Sequence, residues 1–409
     1  MRNLVICCDG TNNEFGEQNT NVVRLVQVLN REPFKQRLYY DPGVGTLPEP
    51  GAWGKMRKWW SQVRGLAFGA GLNWKVQEAY TYIMNIWEPG DRLFLFGFSR
   101  GAYTVRVLAG MLYGVGLLPR GSVNMVPYAM RLFKGVRDER KEGGGAQYWA
   151  DLCDRFRWTF ARPTTATDDE RHCHVHFLGV WDTVSSVGWV WDPAKFPYTA
   201  RNPGIDVIRH AVSVDERRWF FRQNLMNMAN RAPSEPNQDL VEVWFSGVHC
   251  DVGGGYPPLF SNNPAVYSEL WREPFDWLRS EAEKAGLYVD PRRLRAVQDT
   301  YVPTPSPWMD PQHESLRGPW WIAQYCPKQV WNATEKRRHW KWGGRDGHRL
   351  IPKGSLIHNS TLRRICSDQI RYAPPNLSAT FRQSVRALSV LPDALPYDSG
   401  MASSGRLDV

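Results

Sequence analysis

Five contiguous apolar residues, Leu4-Val5-Ile6-Cys7-Cys8, lie near the start of the chain and stop at a set of turn formers, Asp9-Gly10-Thr11-Asn12-Asn13. An unbroken apolar run of strand length is what a strand covered on both faces requires. The spacing of Val22, Val23, Leu25, Val26 and Leu29 predicts a helix over 21–29, and Arg37 to Tyr40 a second short strand. A loop rich in Gly, Pro, Trp and basic residues follows from Pro42 to Arg64, then a helix over 72–87 closed by Pro89-Gly90. Arg92-Leu93-Phe94-Leu95-Phe96 reads as the third strand and Ala102 to Leu117 as a buried helix. From Pro119 to Arg171 the pattern weakens and turns polar, as expected of an inserted, partly helical cap. Val175–Trp181 and Leu240–Phe245 read as further strands, and 265–285 as a helix closed by Gly286. Strands alternating with helices predict an α/β fold, a mostly parallel sheet with helices on both faces.

This pattern implies a catalytic-type α/β domain over 1–290, with 119–171 as its cap. A Trp- and Pro-rich extension over 291–390 is expected to pack on it, and 391–409 is small, polar and expected to be a flexible tail. The apolar content of 42% is enough for a large core and excludes a disordered chain. Seven Cys without regular spacing read as free thiols in a reducing compartment rather than a disulfide scaffold. Met1-Arg2-Asn3 leads straight into a strand, so no signal peptide is expected. The longest apolar stretch, Val107 to Leu118, is too short to cross a bilayer. A cytoplasmic protein is therefore expected, with a signal-independent secretion route left open.

The chemistry starts at Gly97-Phe98-Ser99-Arg100-Gly101. A bare G-x-S-x-G turns up by chance about 0.1–0.2 times in a chain of this length, so the motif alone decides nothing. Its context does, because it directly follows a hydrophobic strand and directly opens a helix. This is the arrangement of a nucleophile elbow, and it makes the fold α/β-hydrolase-like. Such a turn lifts Ser99 above the sheet edge, at the positive end of a helix where the Arg100 amide can stabilise an oxyanion.

A serine needs a base, and the base needs a carboxylate, in the chain order Ser, acid, His. His249 lies past the last strand in Gly247-Val248-His249-Cys250-Asp251-Val252-Gly253-Gly254-Gly255-Tyr256. Asp182 lies at the end of Val175–Trp181, with Asp192 and Asp206 as rivals on loops. The backbone N–H of Gly10 or Thr11 is expected to be the second oxyanion donor, with Asp9 bracing that turn and Asp251 supporting the His249 loop. Two metal readings compete. Asp9, Asp182 and Asp251 could hold a divalent cation, and His172, His174 and His176 alternate as zinc ligands do. The three His have no acidic or thiol partner at a fixed offset, so a polar lead-in to a strand is the better reading. No metal or other cofactor is expected.

These motifs resemble those of one family, the α/β-hydrolases typified by the phospholipase effectors of bacterial type VI secretion. The matching pieces are Asp9-Gly10-Thr11-x-Asn13, Tyr40-Asp41-Pro42-Gly43-Val44-Gly45-Thr46, Gly69-Ala70-Gly71-Leu72 and the run from Pro89-Gly90-Asp91 to Phe96-Gly97-Phe98-Ser99-Arg100-Gly101-Ala102. Gly179-Val180-Trp181-Asp182-Thr183-Val184 and Gly247-Val248-His249-x-Asp251-Val252-Gly253-Gly254-Gly255-Tyr256 continue them, and Ile357-His358-x-Ser360 is a weaker later signature. The resemblance implies ester hydrolysis by Ser99, Asp182 and His249, with lipid esters as the substrate class. The chain departs from the secreted effectors, which are typically much longer with membrane-anchoring modules, and is expected to hold the catalytic part and a short carboxyl extension.

Charge and tryptophan content extend this picture. The formal net charge is +10, and 20 Trp residues are present. Basic residues and Trp interleave in Trp53-Gly54-Lys55-Met56-Arg57-Lys58-Trp59-Trp60 and in Lys336-Arg337-Arg338-His339-Trp340-Lys341-Trp342. That composition suits an anionic membrane surface, so peripheral lipid contact is expected and nucleic acid is not. A small soluble ester as substrate, or a non-catalytic module that binds an anionic partner, stays open as an alternative.

Overall fold

The computed structural model describes residues 1–10, 16, 18–43, 69–135, 145–165, 170–184, 188–189, 192–193, 196–226, 238–256, 268–300, 306–318, 320–325, 327–332, 337–341 and 347–398. In chain order its strands are β1 (Asn3–Cys8), β2 (Gln36–Asp41), β3 (Arg92–Phe98), β4 (Val175–Trp181), β5 (Gly188–Trp189) and β6 (Asp192–Pro193). They continue with β7 (Ile205–Ser213), β8 (Asp239–Phe245), β9 (Lys328–Asn332), β10 (Arg337–Lys341), β11 (Leu356–His358) and β12 (Ala394–Pro396). Eight form one sheet in the order β12-β11-β8-β7-β4-β3-β1-β2. Every neighbouring pair in it is parallel except β11–β12. The fold is the α/β class expected from the sequence.

Alternation along β1 sets the two layers. Leu4, Ile6 and Cys8 face one core, and Val5 and Cys7 face the other. On the β2 side, helix α1 (Asn21–Val28) is capped by Thr20, whose hydroxyl accepts the Val23 N–H, and buries Val22, Leu25 and Val28 in the second core. Helices α2 (Gly69–Ile86) and α3 (Ser99–Val115) cover the first face, joined by α4 (Val126–Gly135) and α5 (Gly145–Phe160). The short α6 (His249–Gly253) and the longer α7 (Arg272–Lys284) and α8 (Pro291–Gln298) lie with α1 on the opposite face.

Four expectations change. The described part of 119–171 does not cap the site. Phe133 of α4 packs on Gly110 and Gly114, and Arg157 of α5 donates to the Gly114 carbonyl, all at the far end of α3. Asp206 is not on a loop but in β7, which the hydrophobic pattern hides because Arg209 and His210 interrupt it. Both are buried with partners: Arg209 pairs with Glu281 and Asp239, and His210 with Glu242. The extension does more than pack on the domain, since β11 joins the sheet beside β8. A third core of Val212, Val214, Trp244 and Ile357 is completed by α10 (Asn359–Cys366) and α11 (Ala379–Arg386), which follow the short α9 (Trp320–Gln324). The expected tail from 391 includes β12, an antiparallel edge strand. Residues 399–409 fall outside the described residues, as does Trp53–Trp60.

Burial of Ile357 between β8 and the α10–α11 layer predicts that the extension unfolds with the rest. Ile357→Ala should cost about 2–5 kcal/mol and lower a single cooperative thermal transition followed by circular dichroism. A separate early transition would mean that the extension is an independent unit.

Candidate active site

Strand β3 ends at Phe98, and the chain turns at Ser99 into α3 with φ of 58°. Residues other than glycine seldom adopt this left-handed conformation, and it persists only where the surroundings hold it. The hold comes from close packing. A Cβ on Gly101 would lie 2.1 Å from the Cys8 carbonyl oxygen and 2.5 Å from that of Asp9. Only glycine therefore lets the first turn of α3 rest on the end of β1. The Asp9 side chain braces the facing loop, accepting the Thr20 hydroxyl at 2.6 Å and the Tyr40 hydroxyl at 3.2 Å. It also takes the Gly10 N–H at 2.6 Å. That bond corrects one expectation, because an amide committed to its neighbour's carboxylate is not an oxyanion donor. Thr11, the other candidate, lies outside the described residues. The Arg100 amide belongs to the first turn of α3, where N–H groups point toward the helix pole beside Ser99.

His249 opens α6 directly after β8 and the Gly247 turn. Gly253, one turn on, faces the Phe98 ring so closely that an added Cβ would lie 1.9 Å from it, which holds α6 down on β3. The imidazole lies between the Phe98 and Phe221 rings, at centroid distances of 4.7 and 4.9 Å. Its Nε2 is 2.8 Å from Ser99 Oγ, and its Nδ1 is 2.5 Å from Asp182 Oδ2. With Nδ1 as donor to the carboxylate, Nε2 accepts the serine hydroxyl. Asp182 sits at the end of β4 with φ of 39° and no solvent exposure. Three residues 67 to 150 positions apart in sequence thus form one hydrogen-bonded chain.

Sequence reasoning missed the side chains that surround this chain. Arg349 makes a two-point contact with Asp182, at 2.5 Å to Oδ1 and 2.9 Å to Oδ2, and the Ser213 N–H adds a bond of 2.9 Å. Burial pushes the Asp182 carboxyl up, but Arg349 and the His249 hydrogen bond outweigh it and hold the group well below the usual carboxylate range. Burial also lowers His249 below its ordinary value, against the upward pull of Asp182 and with help from Arg218. The lowering favours the neutral imidazole, the form that can accept a proton. Glu216, fully buried, accepts the His249 N–H at 3.2 Å and pairs with Arg218 through bonds of 2.9 Å. Burial opposes its ionisation, yet Arg218 brings its pKa down to about 2.

The remaining candidates are dispersed. Asp251 accepts the Val248 N–H and pairs with His313 at 2.5 Å, fixing the α6 turn rather than reaching Ser99. Asp206 bonds His176 near the start of β7, and Asp192 lies in β6. Asp9, Asp182 and Asp251 answer to different donors and do not converge on one point. His172 stacks on Tyr113 of α3, whereas His176 bonds the Ala285 carbonyl after α7 on the opposite face of the sheet. Among the described residues no group of three or more potential ligands could hold a metal. No described helix is long and apolar enough to cross a membrane.

Residues 2–281 match the family model described as T6SS, phospholipase effector Tle1-like, catalytic domain. The chain is similar to the uncharacterized protein YEL023C of Saccharomyces cerevisiae, 36% identical over 228 residues that cover 54% of this chain and 32% of that protein. An uncharacterized protein from Pseudomonas aeruginosa aligns with a TM-score of 0.45 and 19% identity over 75% of this chain and 49% of its own. The Tle1 effector bound to the VgrG spike of the type 6 secretion system aligns with a TM-score of 0.33 and 17% identity, over 64% of this chain and 52% of its own. The chain thus spans about a third of the curated relative and about half of each of these solved chains.

The Glu216 pair makes stability pH-dependent. A carboxyl held near a pKa of 2 when folded, against 4.5 as the ordinary value, contributes stability present above pH 4.5 and lost as pH falls toward 2. Glu216→Gln should therefore flatten the loss of stability between those pH values, read as urea midpoints at pH 3 and pH 7. An unchanged pH dependence would mean that the Glu216–Arg218 pair is not ionised in the folded protein.

Proposed function

Because the chain belongs to the family of T6SS Tle1-like phospholipase effector catalytic domains, we propose that it is a serine hydrolase that cleaves acyl esters of lipids. The observation that carries this reading is the buried Ser99–His249–Asp182 chain, with Ser99 in a strained turn at the head of α3. In this reading Ser99 is the nucleophile, His249 the general base and Asp182 the group that orients the imidazole and stabilises its charged form.

The contacts support the following steps. His249 Nε2 takes the hydroxyl proton as Ser99 Oγ attacks the acyl carbonyl carbon. The negative charge that gathers on the carbonyl oxygen meets the α3 pole and the amide of Arg100. The imidazolium gives its proton to the departing alcohol, leaving an acyl group on Ser99. Water, deprotonated by the same Nε2, then releases the fatty acid and restores the serine.

Lipid as the substrate class draws on the family and on the surface of the hairpin. β9 and β10 pair Arg338 with Trp331 and Trp340 with Gln329, and the Trp340 side chain is exposed. A Trp among basic residues suits the boundary of an anionic bilayer.

Ser99→Ala and His249→Ala should each lower turnover of phospholipid vesicles by a factor of about 10⁴–10⁶, and the triple variant should be no worse than either. Near-full activity in soluble Asp182→Ala protein would place the acid elsewhere. Trp340→Ala should lower hydrolysis on anionic vesicles and leave hydrolysis of a short soluble ester unchanged. Equal loss on both substrates would make Trp340 a packing residue. Activity on short esters with none on vesicles would replace lipid by a small ester as the substrate.

A further inference from the structure

The relay from Ser99 to Asp182 stops at a cation that it does not use. Arg349 lies in the extension, before β11 and outside residues 2–281, and is only 2% exposed. All five of its N–H bonds have acceptors. Nε–H donates to the Phe221 carbonyl at 3.1 Å. Nη1 donates to Asp182 Oδ1 at 2.5 Å and to the Ser213 carbonyl at 3.2 Å. Nη2 donates to Asp182 Oδ2 at 2.9 Å and to the Phe221 carbonyl at 2.5 Å. The Arg349 carbonyl accepts from Asn376, which also donates to the Val214 carbonyl.

We propose that Arg349 is a positioning residue for hydrolysis at Ser99, fixing the Asp182 carboxylate by two-point contact and sharing its charge so that His249 stays neutral. This inference rests on the reading of Ser99, His249 and Asp182 as a hydrolytic relay. A planar guanidinium bound to both carboxylate oxygens leaves the carboxylate little freedom to rotate, so Oδ2 keeps facing His249 Nδ1. The same contact gives Asp182 a full counter-charge. A carboxylate without one would draw a proton onto the imidazole and block the base at mildly acid pH.

Of the other groups around His249, Arg218 also lowers it, but that guanidinium is bound to Glu216 and not to Asp182. Glu216, which accepts the His249 N–H, already has Arg218 as its partner. On α6 itself, Asp251 is paired with His313, and burial pushes the Cys250 thiol up to about 12, so it is uncharged. The flanking faces are the Phe98 and Phe221 rings, and Ser99 is neutral. Each of the two carboxylates bonded to His249, Asp182 and Glu216, thus has its own arginine.

The test is the second-order rate of inactivation by a fluorophosphonate ester as a function of pH, with the adduct mapped and folding checked by circular dichroism. It reads the ionisation of the base without requiring the natural substrate. For the wild-type protein the acid limb should lie below pH 6.5, the ordinary imidazole value. In Arg349→Met it should move up by about one unit or more. Arg349→Lys should return the limb toward wild type with a lower plateau rate, because an ammonium cannot match both oxygens. A folded Arg349→Met protein whose limb is unmoved or lower overturns the inference. If that variant does not fold, Arg349→Lys decides, and a plateau rate equal to that of the wild type overturns it. Reaction at Ser99 with an unmoved limb refutes the role of Arg349 alone. A wild-type protein that does not react at Ser99 refutes the hydrolytic relay as well.

Discussion

A carboxylate removed from water must be met by donors, and the Asp182 carboxylate collects four bonds from three distant parts of the chain. One comes from the end of β7, one from His249 and two from Arg349. The surrounding architecture serves this need. Parallel pairing of β4 with β7 brings Ser213 alongside Asp182, and the turn after β8 delivers His249. The extension then returns the chain to the same point with a guanidinium. Leaving such a group short of a partner costs about 3–5 kcal/mol, so these segments are coupled in stability as well as in position.

The site's second layer repeats the arrangement on the other side of His249. Glu216 takes the backbone N–H of His249, and Arg218 neutralises Glu216 while lying over the Phe221 ring at 3.6 Å. Phe221 in turn packs edge-on against the imidazole, and Trp320 of α9 packs on Phe221. The imidazole therefore lies between aromatic rings with both nitrogens engaged. That is an environment with little room for the ring to turn and little water to protonate it.

Elements whose apolar residues ran unbroken were legible in the sequence. β1, β3 and β4 were, and so was the Ser99 turn, because a strand that ends in G-x-S-x-G and begins a helix has few other readings. The strand–helix order also placed Asp182 after β4 and His249 after β8, where the structure has them. β7 escaped notice because Asp206, Arg209 and His210 break its apolar run, and their partners His176, Glu281, Asp239 and Glu242 are fixed only by tertiary contact. Arg349 lies 167 residues beyond Asp182 in a polar Gly- and Arg-rich stretch, where no local pattern marks one arginine as buried. The polar stretch over 119–171 was expected to cap the site. Its helices instead flank the far end of α3, since apolar residues such as Phe133 and Phe156 fit that face.

The central claim, that Ser99 carries the acyl group during turnover, is tested most directly by trapping it. Protein mixed with an activated acyl ester, quenched in acid within the first turnovers and mapped by peptide mass spectrometry should carry one acyl group, on Ser99. Steady hydrolysis with no acyl group on Ser99, or with the acyl group on another residue, would contradict the account.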